Sequence, residues 1–310
     1  MEPAGEAIIA GPLLGQVLAI LSATSFAFAN NFISLTSSSG GDKGVLFSVL
    51  VTMAMSGLLW AAFEVPAGAP LLAAGWEGIG WFAISGICAM VFGRSLVFES
   101  IRRLGVTRST AVKRLNPFFS VLLAALLLGE PVFATDLGGI AVIAIAFALL
   151  VRESFLNRGT LAVSAPPAPY YLFGVFGALA YAFAYVARKA GLNVLDAPAL
   201  GTFISAVTGF AVFGLLALVS KRYAGNFRNM FANLDRWVMG SAVMVSLGQI
   251  LLFAALSYER VSTVVMIASL EIFISIFLSV LIFRTERMPG PTVLLAAFLA
   301  TAGVGLVAAT

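Results

Sequence analysis

The sequence predicts an all-α integral membrane protein of ten transmembrane helices, built as two inverted five-helix repeats, residues 1–155 and 156–310. Three observations lead there. First, the chain repeats itself at an offset of 155 residues, half of its 310, so that Ser95–Glu130 lies over Ile250–Glu286. Phe98 meets Phe253, Val106 meets Val261, Leu115 meets Leu270, Phe118 meets Phe273 and Ser120 meets Ser275. One inserted residue then brings Glu130 onto Glu286, and Phe26-Ala27-Phe28 falls on Tyr181-Ala182-Phe183. Second, hydrophobic residues make up 61 % of the chain and charged residues 10 %, with a mean hydropathy of +1.04. Soluble domains carry roughly 25 % charged residues. Third, each half holds five spans, and an odd number starts the second half on the opposite side of the bilayer.

Windows of about 20 apolar residues place the spans near 12–34, 45–63, 78–99, 106–128, 135–151, 170–191, 198–219, 237–257, 262–283 and 290–309. Residues 1–10 hold Glu2 and Glu6 in place of a basic start, so no cleavable signal peptide is expected. The polar, proline-bearing stretch Arg152–Pro169 divides the halves. Between spans seven and eight, Phe227, Met230, Phe231 and Leu234 share one face of a predicted interfacial helix. Connections elsewhere are short, so any chemistry has to sit inside the membrane.

Charge sets the predicted orientation. The loops after odd-numbered spans hold twelve lysines and arginines, among them Lys43, Arg102, Arg103, Lys221, Arg228 and Arg284, against Arg188, Lys189 and Arg260 on the other side. The positive-inside rule then puts both termini outside the cytoplasm. The same bias accounts for the net charge of +4. Anionic membrane lipid is the partner these loops suit, and no nucleic acid is expected.

Composition also removes several classes. There is no histidine and a single cysteine, Cys88, so neither a His-based metal site, a His proton relay nor an intrachain disulfide is expected. Gly78-Ile79-Gly80-Trp81-Phe82-Ala83 resembles a dinucleotide fingerprint, yet opens an apolar span with no preceding strand. No Walker A motif occurs, and the aspartates lie in loops or at span ends. No enzyme activity, metal or cofactor is therefore expected.

The segment Leu104-Gly105-Val106, Leu115-Asn116-Pro117-Phe118-Phe119-Ser120 and Leu128-Gly129-Glu130 resembles the repeat signature of EamA-type drug/metabolite transporters, and Gly138-Gly139 fits that family's glycine-containing fifth helix. The second copy departs from it: Ile272 stands where a proline is usual, and Arg284-Thr285-Glu286 replaces Leu-Gly-Glu. The resemblance covers essentially the whole chain. It implies a transporter with a central cavity lined by helices 1, 3, 4, 6, 8 and 9, with helices 5 and 10 outside.

Charge within the spans distinguishes this member. From the turn near Arg103, Arg94 lies nine residues back and Lys113 ten forward. At about 1.5 Å per residue, Arg94, Lys113 and Arg114 share one depth. An embedded cation costs about 2.5–3.5 kcal/mol unless paired or hydrated. Two readings stand: Lys113 and Arg114 snorkel while Arg94 pairs with Glu99, or the three bind an anion. Ser109, Lys113, Asn116 and Ser120 form one stripe at i, i+4, i+7 and i+11. On span six, Gly174, Gly177, Tyr181, Tyr185 and Arg188 share a face, the glycines suited to close helix approach. Arg188 and Lys189 near its C-terminus suit the helix dipole. Asn30, Asn31 and Gln249, the last the repeat partner of Arg94, are uncharged polar residues able to bond between helices or to substrate.

Glu271, repeat partner of Asn116, is the one carboxylate near the middle of a span. It reads as a counter-ion or as a coupling group. Glu130 and Glu286 read as groups that set helix ends or gates. The favoured cargo is a small organic anion, a carboxylate or phosphorylated metabolite, moved across the inner membrane by alternating access. Arg94, Lys113 and Arg114 would hold the anionic group, with Asn30, Asn116, Tyr181, Tyr185 and Gln249 on the remainder. Export of amino acids or amphipathic compounds is the runner-up, a lipid flippase the alternative from another class. A homodimer is compatible with the sequence.

Overall fold

The structure, a computed structural model, describes residues 4–35, 41–68, 75–104, 112–113, 115–156, 167–232, 234–285 and 290–308. Every regular element among the described residues is helical. In chain order these are α1 (Ala4–Leu35), α2 (Gly41–Leu59), α3 (Trp76–Gly86), α4 (Arg94–Leu104), α5 (Asn116–Leu123), α6 (Ala134–Leu156), α7 (Tyr171–Val194), α8 (Pro198–Val219), α9 (Lys221–Arg228), α10 (Arg236–Tyr258), α11 (Val261–Ala268), α12 (Glu271–Leu281) and α13 (Pro291–Ala308). π-helical stretches follow α2, α3 and α5, and the one at Ile87–Gly93 joins α3 to α4 within a single rod.

Eight rods are long and apolar enough to cross a membrane, from Gly11–Leu35 to Pro291–Ala308. The predicted fourth and fifth spans correspond to shorter apolar helices, Asn116–Leu128 and Ala134–Leu149. The fourth is shorter because residues 105–111 and Arg114 lie outside the described residues. Of the predicted interfacial helix, α9 forms only Lys221–Arg228 and packs on α8, whereas Met230, Phe231 and Leu234 lie beyond its end and do not share its face. Phe227 sets its ring against Phe210 at 5.3 Å.

Small residues fix the helix spacings. A Cβ on Gly86 would stand 2.4 Å from the Ser205 carbonyl oxygen, so α3 and α8 touch there backbone to backbone. A Cβ on Gly139 would stand 2.7 Å from the Gly303 carbonyl oxygen, joining α6 to α13 in the same way. The latter pair flanks the bundle, and Leu137, Ile145, Leu295 and Phe298 face outward from it. The central helices are α1, α3 with α4, α5, α7, α10, and α11 with α12.

Carboxylates cap helix starts across the bundle. Glu130 accepts from the backbone amides of Val261 at 2.8 Å and Ser262 at 3.4 Å, the first residues of α11. Glu64 accepts from the amides of Ala199 at 2.7 Å and Leu200 at 2.9 Å at the start of α8. Each satisfies amides that have no partner within their own helix, at its positive end. Glu130 thus sets a helix end, as expected of it, while its partner Glu286 lies outside the described residues.

The i→i−4 hydrogen-bond ladder is interrupted at two repeat-equivalent places among the described residues. Leu115 donates to the Val112 carbonyl and Leu270 to the Ile267 carbonyl, each at 3.0 Å and each a three-residue step that tightens the helix. Pro117, without an N–H, breaks the ladder in the first half. The second half is interrupted without a proline. There Ser269 takes part, its hydroxyl donating to the Met266 carbonyl at 2.6 Å, a back-bond that bends helices.

Candidate functional site

The interruptions govern what lies around them. α12 begins at Glu271, and the amides of Glu271, Ile272 and Phe273 have no backbone acceptor among the described residues. This positive helix end sits midway along the span Val261–Leu281. Glu271 does not pair with a cation among the described residues; it accepts from Asn30 Nδ2 at 2.7 Å. Its neighbour Asn31 is buried and structural, donating to the Ser275 carbonyl and hydroxyl at 3.1 and 3.0 Å.

Asn30 is exposed although it lies on the inner side of α1. At about 100° per residue it stands roughly 140–180° round the helix from Leu14, Val17 and Leu21, the outward face. Tyr185, partly exposed, lies likewise opposite Leu172 and Phe176 on α7. Both polar side chains therefore keep some exposure on the sides of their helices opposite the apolar outward faces.

The two halves of the span Val261–Leu281 are packed to different degrees. α11 is buried from Val261 to Ile267 and packs on α1, α5, α7, α10 and α13, whereas α12 is mostly half-buried and packs chiefly on α1. At the α11 end, Lys189 donates to the carbonyls of Leu256 at 2.7 Å and Glu259 at 3.0 Å, capping α10. Its role is structural as expected, although the dipole it completes belongs to a neighbouring helix. Arg260 reaches buried Asp136 at 3.2 Å nearby. At the opposite end Phe28, Phe32, Trp237 and Phe283 hold α12 against α1 and α10 through ring contacts of 5.5–6.5 Å.

Tyr181 brings two of the expected cation positions together. Lys113 Nζ stands 5.4 Å from the centre of its ring. A Cβ on Gly93, the residue before Arg94, would come within 3.0 Å of the ring edge. Arg94 is partly buried, and its Nη1 has no hydrogen-bond partner among the described residues. Glu99, the acid available to it in sequence, is engaged by Arg103 four residues on. Arg103 also lies over the rings of Tyr170 and Phe173 at 4.8 and 4.7 Å. Of the remaining positions, Asn116 accepts from Ser120 at 3.0 Å and Gln249 is half-buried on α10. Arg114 lies outside the described residues.

Arg188 was read in sequence as a dipole partner at a helix end. It is instead 3 % exposed, its Nε donating to Ser85 Oγ at 3.2 Å. Ser85 lies on α3, and the Phe253 ring beside Arg188 lies on α10, 4.9 Å from the guanidinium.

A duplicated helical bundle with polar side chains on inward faces, and with cations lacking acids among the described residues, is the build of a multi-pass membrane carrier. The model of the EamA-like transporter family matches residues 13–152 and 168–309, so each half carries a copy. The chain belongs to the EamA-like transporter family, membrane transporters of the drug/metabolite type. Among the 28 matching chains of solved structures, a crystal structure superposes with a TM-score of 0.68 at 15 % identity, covering 96 % of both chains. At that identity the likeness speaks to the fold. No curated protein matches the sequence.

Proposed function

We propose that this transporter moves a small organic anion, a carboxylate or phosphorylated metabolite, by alternating access between ten membrane helices arranged as two inverted repeats, 1–155 and 156–310. One observation supports the reading: Arg94 and Lys113 have no acid partner among the described residues. Arg94 Nη1 is buried without a partner among them, Lys113 faces a tyrosine ring, and the nearest mid-span carboxylate, Glu271, is taken by Asn30. An anion would supply the missing charge. Arg94, Lys113 and Arg114 would bind it, with Tyr181, Tyr185, Asn30, Asn116 and Gln249 around the remainder. Reconstitution tests this. Proteoliposomes preloaded with a pool of organic acids should accumulate labelled carboxylates or phosphate esters by exchange, and should ignore neutral and cationic solutes of the same size. Uptake of neutral or cationic compounds alone would overturn the reading and favour the amphipathic-compound exporter.

Orientation is a separate part of the proposal. The twelve-to-three charge bias favours termini outside the cytoplasm. The looser end, where α4 and α12 finish, would then face the cytoplasm. In a Cys88→Ala background, a cysteine at Glu2 or Thr310 should react with an impermeant thiol reagent on intact cells. A cysteine at Arg228 should react only after permeabilisation. The reverse pattern would turn the molecule over and make the looser end an outward one.

A further inference from the structure

Arg188 is the charge that the preceding proposal leaves unused. Its side chain is 3 % exposed, and among the described residues its one hydrogen bond runs from Nε to Ser85. No carboxylate among the described residues pairs with it. A guanidinium carries five N–H donors, so four have no acceptor among the described residues. Phe253 and Tyr185 contact the guanidinium with their rings, at 4.9 and 5.5 Å, which favours a cation there but neither neutralises it nor accepts its N–H groups in line. A buried arginine without an acid has the makings of an anion receptor.

Its surroundings say how a ligand would reach it. Phe82 and Phe253, 0 % and 1 % exposed and in edge contact at 6.0 Å, stand on the tightly packed side. Tyr185 and then Tyr181 lead away from it along α7 toward the looser end. Each ring is faced by one cation: Arg188 over Tyr185 and Lys113 over Tyr181, at 5.5 and 5.4 Å. Successive rings are about 6 Å apart along the helix, and positions 181 and 188 about 10 Å. Glu271 lies within electrostatic reach of Tyr185, but already accepts from Asn30.

We propose that Arg188 is a second anion subsite at the tightly packed end of the tyrosine face of α7, and that the substrate is a dianion. One anionic group is held at Lys113 and the other at Arg188, with a spacer lying along Tyr181 and Tyr185. This rests on the anion reading above and narrows it to compounds with two anionic groups about 6–10 Å apart.

The test is a calorimetric titration of the purified full-length protein with straight-chain dicarboxylates from succinate to suberate, and with the monocarboxylates of matching length. The best diacid should bind at least tenfold tighter than its monoacid. Arg188→Gln should raise the diacid Kd at least tenfold, to the monoacid level, and leave the monoacid Kd within twofold. Arg188→Lys should recover part of the loss. A parallel melt of ligand-free Arg188→Met should show an unchanged or higher Tm, because an unpaired buried charge has been removed. A lower Tm with unchanged diacid binding would make Arg188 a packing residue and overturn the proposal. Equal weakening of mono- and diacids by Arg188→Gln would leave a single anion site and overturn the dianion. Tighter binding of an amino acid than of any diacid would overturn it too, pointing to Glu271 as an ammonium site. Wild-type protein that binds neither monoacids, diacids nor phosphate esters would sink the anion reading itself, a result distinct from equal affinity for mono- and diacids.

Discussion

Lys113→Gln and Arg94→Gln are each expected to reduce uptake of an anionic substrate by about tenfold or more, one charge-assisted hydrogen bond contributing about 1.5–3 kcal/mol. Both variants should insert and fold, because neither loses an ion pair among the described residues. Arg94 Nη1 has no partner among them, and Lys113 contacts a ring. Removing an unpaired cation from the bundle interior should leave thermal stability unchanged or slightly raised. Arg103→Gln is the internal control. It breaks the Glu99 pair but sits on the outer surface, so transport should not change. Arg114→Gln extends the series to the third cation of the proposed cluster. Wild-type uptake in Arg94→Gln, Lys113→Gln and Arg114→Gln alike would mean that these cations snorkel, and the anion reading would be lost.

Glu271→Gln should abolish accumulation driven by a pH gradient while preserving substrate exchange and thermal stability. As a counter-ion, Glu271 would leave a buried cation unpaired when neutralised, with a loss of several kcal/mol. The structure gives it Asn30 at 2.7 Å as its partner, with no cation in a salt bridge among the described residues. A glutamine keeps an acceptor for Asn30, so the fold has little to lose. What it removes is the carboxylate charge at the positive start of α12. Exchange needs no net proton movement and should continue. A melt several degrees below wild type would restore the counter-ion role. Unchanged accumulation would remove the coupling role.

The helical class, the repeat and most spans were legible because apolar runs and a fixed offset are properties of the chain itself. The interruption at Leu115 was legible through Pro117. Its partner at Leu270 was not, since Ile272 takes the proline's place and the interruption involves Ser269, one of four serines in that span and not marked out by its spacing. Glu99 could have been assigned correctly, because Arg103 lies at the i+4 spacing that favours pairing whereas Arg94 lies five residues away. Arg188 could not, because Ser85 and Phe253 come from other helices and nothing local marks their approach. Glu64 as a cap for α8 belongs with it, joining residues 135 positions apart. Contacts within one turn can be read from spacing; those that cross the bundle follow from packing, where the site is made.

The paired interruptions have a mechanical consequence. The joint at Leu270 divides a clamped lever, α11, from a looser one, α12. Its counterpart at Leu115 lies 155 residues earlier in the duplicated chain, so under the proposed cycle clamp and free arm would trade places between the halves. Such a trade would turn the looser end over without melting a helix, since only the short steps around each joint need lengthen. The joints are not identical. Pro117 withholds an N–H from the ladder at the first joint, while Ser269 closes the second by a hydroxyl bond to the Met266 carbonyl.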